Sequence, residues 1–196
     1  MQLPEFRNEP PSDFRGNPEH ARRMKDALDQ VGSELGRDYD LVIGGKRIKT
    51  QDKLISYCPE NQDLIIGTAS KGDAALADRA IRTADEVFKA WSRVPLEQRV
   101  EFVLKIAKIL REKKFQFSAW LVFEVGKTWP EADADTAEAI DFCEFYSREM
   151  LRLAQPLRLT PIAGERNYLR YIPLGVGVAI PPWNFPLAIL AGMTLA

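Results

Sequence analysis

The sequence has little of the side-chain chemistry that most metal centres and hydrolases need: two cysteines, Cys58 and Cys143, and a single histidine, His20. A four-ligand zinc site of the Cys/His type requires more ligands than these residues supply, so no metal centre is expected. A Ser-His-Asp or Cys-His hydrolase would have to use His20, which lies in Gly16-Asn17-Pro18-Glu19-His20 and reads as a solvated first turn of a helix. No charge of one sign predominates: 27 Lys plus Arg stand against 28 Asp plus Glu, a net charge of -1. That balance gives no overall case for nucleic acid or an anionic membrane as partner, and any anionic ligand must be met locally. No apolar stretch follows Met1, where Pro4, Glu5, Arg7, Glu9 and Pro10 come instead, so no secretory signal is expected and the cytoplasm is the default location. Internal repeats and low-complexity segments are also missing. What is present, 45% hydrophobic and 28% charged residues in 196, suits a globular protein with a real core.

Residues 1–16, rich in proline, glycine and charge, read as a surface arm. A part spanning 17–154 follows, helical with a small sheet. Asn17 caps and Pro18 starts an amphipathic helix carrying Ala21, Met24, Leu28, Val31 and Leu35 up to a stop at Gly36. Leu41-Val42-Ile43, Gly44-Gly45 and Lys46 to Lys49 have the pattern of a β-hairpin, with further strands expected over 53–57 and 64–69, together a small antiparallel sheet. Ala77, Ala80, Ile81, Ala84, Val87, Phe88 and Trp91 then line one face of a helix, and Phe102, Val103, Ile106, Ile109 and Leu110 the buried face of the next, opened by Pro95. The pattern resumes from Phe115 to Val125 and stops at Gly126. Pro130 starts a long helix to about Ala154, whose acidic first turns (Glu131, Asp133, Asp135, Glu138) complement the helix dipole.

Residues 155–173 form a different region, in which 167–172 alternates like an exposed or edge strand, a possible pairing element for oligomerisation. The stretch 174–196 opens with Gly175-Val-Gly-Val-Ala-Ile180, which reads as a buried parallel strand, then a proline-rich turn and a fresh apolar helix. Parallel strands need further parallel neighbours, so the chain reads as cut off inside the sheet of a second domain. Gly175 and Gly177 do not complete a dinucleotide fingerprint, because the third glycine would fall at Ile180. The informative cluster is Ile180 to Pro186, which fixes the backbone direction where open α/β sheets place ligands. Asn184 in that turn either donates its amide N–H to an oxyanion or bonds its own backbone in an Asx-turn; spacing alone does not choose.

Pro182-Trp183-Asn184-Phe185-Pro186 resembles the signature turn of the aldehyde dehydrogenase superfamily, and Glu124-Val125-Gly126-Lys127 resembles that family's helix-ending Glu-x-Gly-Lys segment. The stretch Ala84 through Trp91 is similar to the family's first long helix. The arm Phe6-Arg7-Asn8-Glu9-Pro10 and the run 131–142, Glu-Ala-Asp-Ala-Asp-Thr-Ala-Glu-Ala-Ile-Asp-Phe, resemble the L-glutamate γ-semialdehyde (1-pyrroline-5-carboxylate) dehydrogenase branch. The resemblance covers essentially the whole chain. It implies an incomplete α/β fold of aldehyde-dehydrogenase type, a helical layer plus the start of a parallel nucleotide-binding sheet. It further implies NAD as cofactor, a small-molecule aldehyde as substrate and a homo-oligomer in the complete form.

In such enzymes a cysteine thiolate attacks the aldehyde, hydride passes to the nicotinamide, and a glutamate-activated water releases the acid. Carried over residue by residue, the resemblance makes Asn184 the oxyanion donor. Ile180, Pro182 and Trp183 match positions along the cofactor cleft, and Phe185 and Glu138 match positions lining the aldehyde tunnel. Neither Cys58, read as a loop thiol, nor Cys143, read as a small packing residue, matches the nucleophile, so residues 1–196 alone are expected to be inactive. Three alternatives stand beside this reading: a dehydrogenase of another aldehyde such as succinate semialdehyde; a non-catalytic interaction protein pairing through 168–172; and a membrane anchor formed by the uncharged residues 174–196. Pro181, Pro182 and Pro186 weigh against the anchor.

Overall fold

The computed structural model describes residue 1, residues 3–157 and residues 159–196. Helix α1 (Pro18–Gly32) begins where Asn17 Oδ1 accepts the Glu19 N–H at 3.0 Å, with proline in the first turn. It ends at Gly32, short of the predicted stop at Gly36, because the next residues turn into a strand. That strand, β1 (Arg37–Tyr39), is too short and polar to have been foreseen. A hairpin of β2 (Leu41–Ile43) and β3 (Lys46–Ile48) closes over Gly44 and Gly45, whose φ of 58° and 74° are those a two-residue hairpin turn demands. Strands β4 (Lys53–Cys58) and β5 (Asn61–Ser70) pair antiparallel, and β1 pairs parallel to β5 on its other edge. The small sheet is therefore mixed, in the order β1-β5-β4, rather than antiparallel throughout.

Four helices follow: α2 (Ala74–Trp91), α3 (Leu96–Glu112), α4 (Lys114–Val125) and α5 (Trp129–Leu153). Gly126 at φ 67° supplies the left-handed residue that ends α4. Around α5 pack α3, α4 and the last helix, α6 (Ala188–Leu195), while α1 packs on α4. Two apolar clusters result. One joins Ala107 and Leu110 to Ala139, Ile140, Cys143 and Ala188; the other joins Met24, Ala27 and Val31 to Phe115 and Ala119. The predicted apolar face of α2 is a correction: no residue of that helix is buried, and Ile81, Val87 and Trp91 remain exposed. Periodicity identifies the face a helix can bury, and only a neighbouring layer buries it.

The arm lies over the helices, held by two carboxylates of α5, the half-buried Asp141 and the buried Asp133. Asp141 accepts from Asn8 Nδ2 and the Glu9 N–H, and Asp133 from the Ser12 N–H and Oγ, all at 2.7 Å. His20 is half-buried rather than solvated: its Nδ1 accepts the Asp13 N–H at 3.0 Å and its ring lies 6.0 Å from that of Phe115.

The strands expected at 167–172 and 175–180 are not formed; both stretches run without regular structure, and Tyr168, Ile172, Val178 and Ile180 are exposed. A strand exists only through hydrogen bonds to a neighbour, and no described strand lies beside either stretch. Of residues 174–196, weighed above as a membrane anchor, only the eight residues of α6 are helical, and no described helix is long and apolar enough to cross a membrane.

Candidate active site

Where α4 ends and α5 begins, the chain turns back on itself at Gly126, and Lys127 and Thr128 link the helices. Thr128 donates both its N–H (3.1 Å) and its hydroxyl (2.7 Å) to Glu131, forming the first turn of α5. The hydroxyl bond foremost, then the backbone bond and the nearby Lys127 charge, hold the Glu131 carboxyl below its ordinary range against the opposing effect of burial. Opposite this junction lies the turn Trp183–Asn184–Phe185. Together they enclose a cleft of about 480 Å³ lined by Lys127, Glu131, Ala134, Trp183, Asn184 and Phe185, with Val125 and Gly126 at its margin.

The turn is tied to the helices from one side. Ala188, the first residue of α6, donates its N–H to Asp135 Oδ1 at 2.8 Å, and Lys127 Nζ contacts Asp135 Oδ2 at 2.7 Å. Lys127 Nζ also lies 4.1 Å from the centre of the Phe185 ring, a cation–π contact. No hydrogen bond engages the Asn184 amide among the described residues, which removes support from the Asx-turn alternative and leaves a neutral donor free at the cleft.

Of the six residues singled out in the sequence, the structure gathers Trp183, Asn184 and Phe185 at this cleft. Glu138 is half-buried on α5, one turn beyond Ala134 on the same face as Glu131 and Ala134, and it does not line the cleft. Ile180 and Pro182 are on the exposed stretch leading into the turn. Sequence reasoning gave Asp135 no site role, reading it only as one of the acidic residues that complement the dipole in the first turns of the helix. The signal was available: Ala132, Asp135 and Ala139 form one helical stripe, and Asp133, Thr136, Ile140 and Cys143 another, so both aspartates stand in line with core positions.

The two thiols stand apart from the cleft. Cys143 is buried in the α3–α5–α6 core, where burial above all, and then the charge of Glu144, push its thiol up to about 11. Cys58 is buried at the end of β4, not in a loop as expected. Among the described residues no group of His, Cys, Asp and Glu is arranged to hold a metal ion. Chemically, the cleft offers a hydrogen-bond donor for developing negative charge, a cation and an anion at its rim, and no nucleophile among its lining residues.

Residues 47–196 match the aldehyde dehydrogenase family, and the chain belongs to it. Among curated relatives it is 52% identical to a 1-pyrroline-5-carboxylate dehydrogenase of Geobacillus kaustophilus, over 97% of this chain and 37% of that protein. The crystal structure of 1-pyrroline-5-carboxylate dehydrogenase from Thermus with bound NAD superposes with a TM-score of 0.94 at 44% identity, over 100% of this chain and 38% of that one. Proline utilization A from Bdellovibrio bacteriovorus matches at a TM-score of 0.93 and 38% identity, over 100% of this chain and 20% of that one. The chain thus spans little more than a third of the length of these 1-pyrroline-5-carboxylate dehydrogenases and a fifth of that of proline utilization A.

Proposed function

We propose that this chain is the amino-terminal part of an NAD-dependent enzyme that oxidises L-glutamate 5-semialdehyde, the open form of 1-pyrroline-5-carboxylate, to L-glutamate in proline breakdown. The observation that carries the reading is the unengaged Asn184 amide at the cleft, on a turn stiffened by Pro181, Pro182 and Pro186. As an aldehyde carbonyl becomes tetrahedral, its oxygen gathers charge, and Asn184 donates to it there. Phe185 forms an apolar wall for the substrate, and Glu138, one turn further along α5 and outside this cleft, is the group proposed to face the far end of the semialdehyde in the complete enzyme. Identity of 52% to a 1-pyrroline-5-carboxylate dehydrogenase supports this choice of aldehyde over succinate semialdehyde.

Ile180, 82% exposed, and Trp183, 81% exposed, give with Pro182 an uncharged wall that suits a nicotinamide dinucleotide. NAD, when bound, accepts the hydride that leaves the substrate carbon. The nucleophile and the hydrolytic base belong to the part of the enzyme beyond this chain, so residues 1–196 alone are inactive. The divisions at 16, 154 and 173 stand as part of the reading, with 155–173 as the oligomerisation element of a homo-oligomer, supported by the exposed Tyr168, Leu169, Tyr171 and Ile172. The location proposed is the cytoplasm.

The test is the intact mass of the product of the native gene, together with its rate of NADH formation on glutamate semialdehyde and on succinate semialdehyde. A product more than twice the 22.2 kDa of this chain that prefers glutamate semialdehyde is expected. A 22.2 kDa product without activity overturns the enzyme reading, and preference for succinate semialdehyde overturns the substrate.

A further inference from the structure

Helix α6 has no side-chain cap of its own: Leu187 stands at the N-cap, and the buried N–H of Ala188 is instead capped from a different helix, by Asp135 of α5. The Asp135 side chain is 0% exposed and both its oxygens are engaged, Oδ1 by Ala188 and Oδ2 by Lys127. Lys127 in turn lies against the ring of Phe185. These contacts fall immediately after Asn184 and four residues after it, with Pro186 between them, while Pro181 and Pro182 stiffen the approach from the other side. Residues 182–185 of the turn are exposed; beyond them Leu187 and Ala188 pack into the α3–α5–α6 core, and the Asp135–Lys127 pair adds the polar ties that fix where the turn meets that core.

We propose that Asp135 and Lys127 are positioning residues for Asn184, with Asp135 setting where the turn starts its helix and Lys127 holding both Asp135 and Phe185. The proposal rests on the reading of Asn184 as oxyanion donor. A buried ion pair is a poor source of stability, since well-packed apolar residues commonly replace one without loss. Such a replacement would leave the Ala188 N–H unpaired and free the turn. Oxyanion donors act only at the right distance, and a displacement of about 1 Å costs on the order of a hundredfold in rate.

The experiment uses the complete enzyme and compares two charge-free double variants that differ only in the acceptor offered to Ala188: Asp135→Asn with Lys127→Met, and Asp135→Leu with Lys127→Met. Each is made with Asn184 present and with Asn184→Ala, and kcat and aldehyde KM are read from NADH formation. With Asn184 present, the Leu variant is expected to lose about a hundredfold in kcat with little change in KM, and the Asn variant to keep kcat within about tenfold of the parent. On the Asn184→Ala background the two are expected to agree within about twofold, because a residue acting through another adds nothing once that other is gone. Equal rates of the Asn and Leu variants with Asn184 present, or the same ratio between them on both backgrounds, overturns the positioning role alone. An active enzyme in which Asn184→Ala leaves kcat unchanged overturns the reading of Asn184, and the proposal with it.

Discussion

Lys114 Nζ lies 3.1 Å from Asp133 Oδ1 with the two side chains only 8% and 1% exposed, and the pair is the point at which the arm, α4 and α5 are joined. Asp133 also takes both hydrogen bonds from Ser12, and Lys114 donates to the Pro10 carbonyl at 2.9 Å. Lys114→Met leaves a buried carboxylate without its cation, a change that costs about 3 to 5 kcal/mol in comparable sites. Adding Asp133→Asn removes the stranded charge and restores part of that loss. Urea unfolding midpoints of the two variants against the parent check the order; a double variant no more stable than Lys114→Met would contradict it.

Cys143 gives a pH dependence of defined sign. Its proton is held more tightly folded than unfolded, so stability is full below the ordinary thiol pKa and declines as pH rises through the window from 9.0 to about 11. Unfolding midpoints are expected to fall more between about pH 8 and pH 10.5 in the parent than in Cys143→Ala, whose difference removes the lysine and tyrosine contributions common to both. In the native protein near neutral pH, Cys143 is expected to resist iodoacetamide until the chain unfolds. Rapid native alkylation at this position, followed by peptide mapping, would show the thiol to be accessible.

Gly192, buried on α6, lies directly against Phe142 of α5. A Cβ there would stand 2.8 Å from Phe142 Cδ2 and 3.0 Å from its Cγ. Phe142 has little room to yield, being stacked on Tyr146 with ring centres 5.7 Å apart. Alanine favours helix over glycine by about 1 kcal/mol, whereas overpacking costs about 1 to 3 kcal/mol, and the clash is with a ring held from behind. Gly192→Ala is therefore expected to lower the melting temperature rather than raise it, which differential scanning fluorimetry decides.

Much of the helical layer was legible because its signals are local. Asn17-Pro18, Gly126 and the stepped apolar residues of α1, α4 and α5 each act within a turn or two of their own position. The errors fall where structure depends on a neighbour. Residues 175–180 have the composition of a buried strand, yet no described strand pairs with them, and the apolar face of α2 is uncovered for the same reason. Strand β1 was missed because it is three exposed residues long, two of them charged, and owes its conformation to β5. At the cleft, the turn of Asn184 was visible as a motif. Its anchor was legible only in part: the stripe that aligns Asp135 with Ala132 and Ala139 marks it as core-facing, but its partner Ala188 is 53 positions away, and an acidic residue early in a helix has an adequate local explanation in the dipole.

Asn184 can be tested without disturbing the fold, since its side chain is exposed and engages no described partner. Removing one oxyanion donor costs about two to three powers of ten in kcat, because the bond strengthens as charge develops and contributes little to the ground state. In the complete enzyme, Asn184→Ala is therefore expected to lower kcat by about that factor with aldehyde KM nearly unchanged. Asn184→Asp is expected to be slower still, because a carboxylate replaces a donor with a like charge beside the oxyanion. Steady-state NADH formation separates the two parameters. A rise in KM at constant kcat would make Asn184 a ground-state contact, and the oxyanion would have to be held by groups outside this chain.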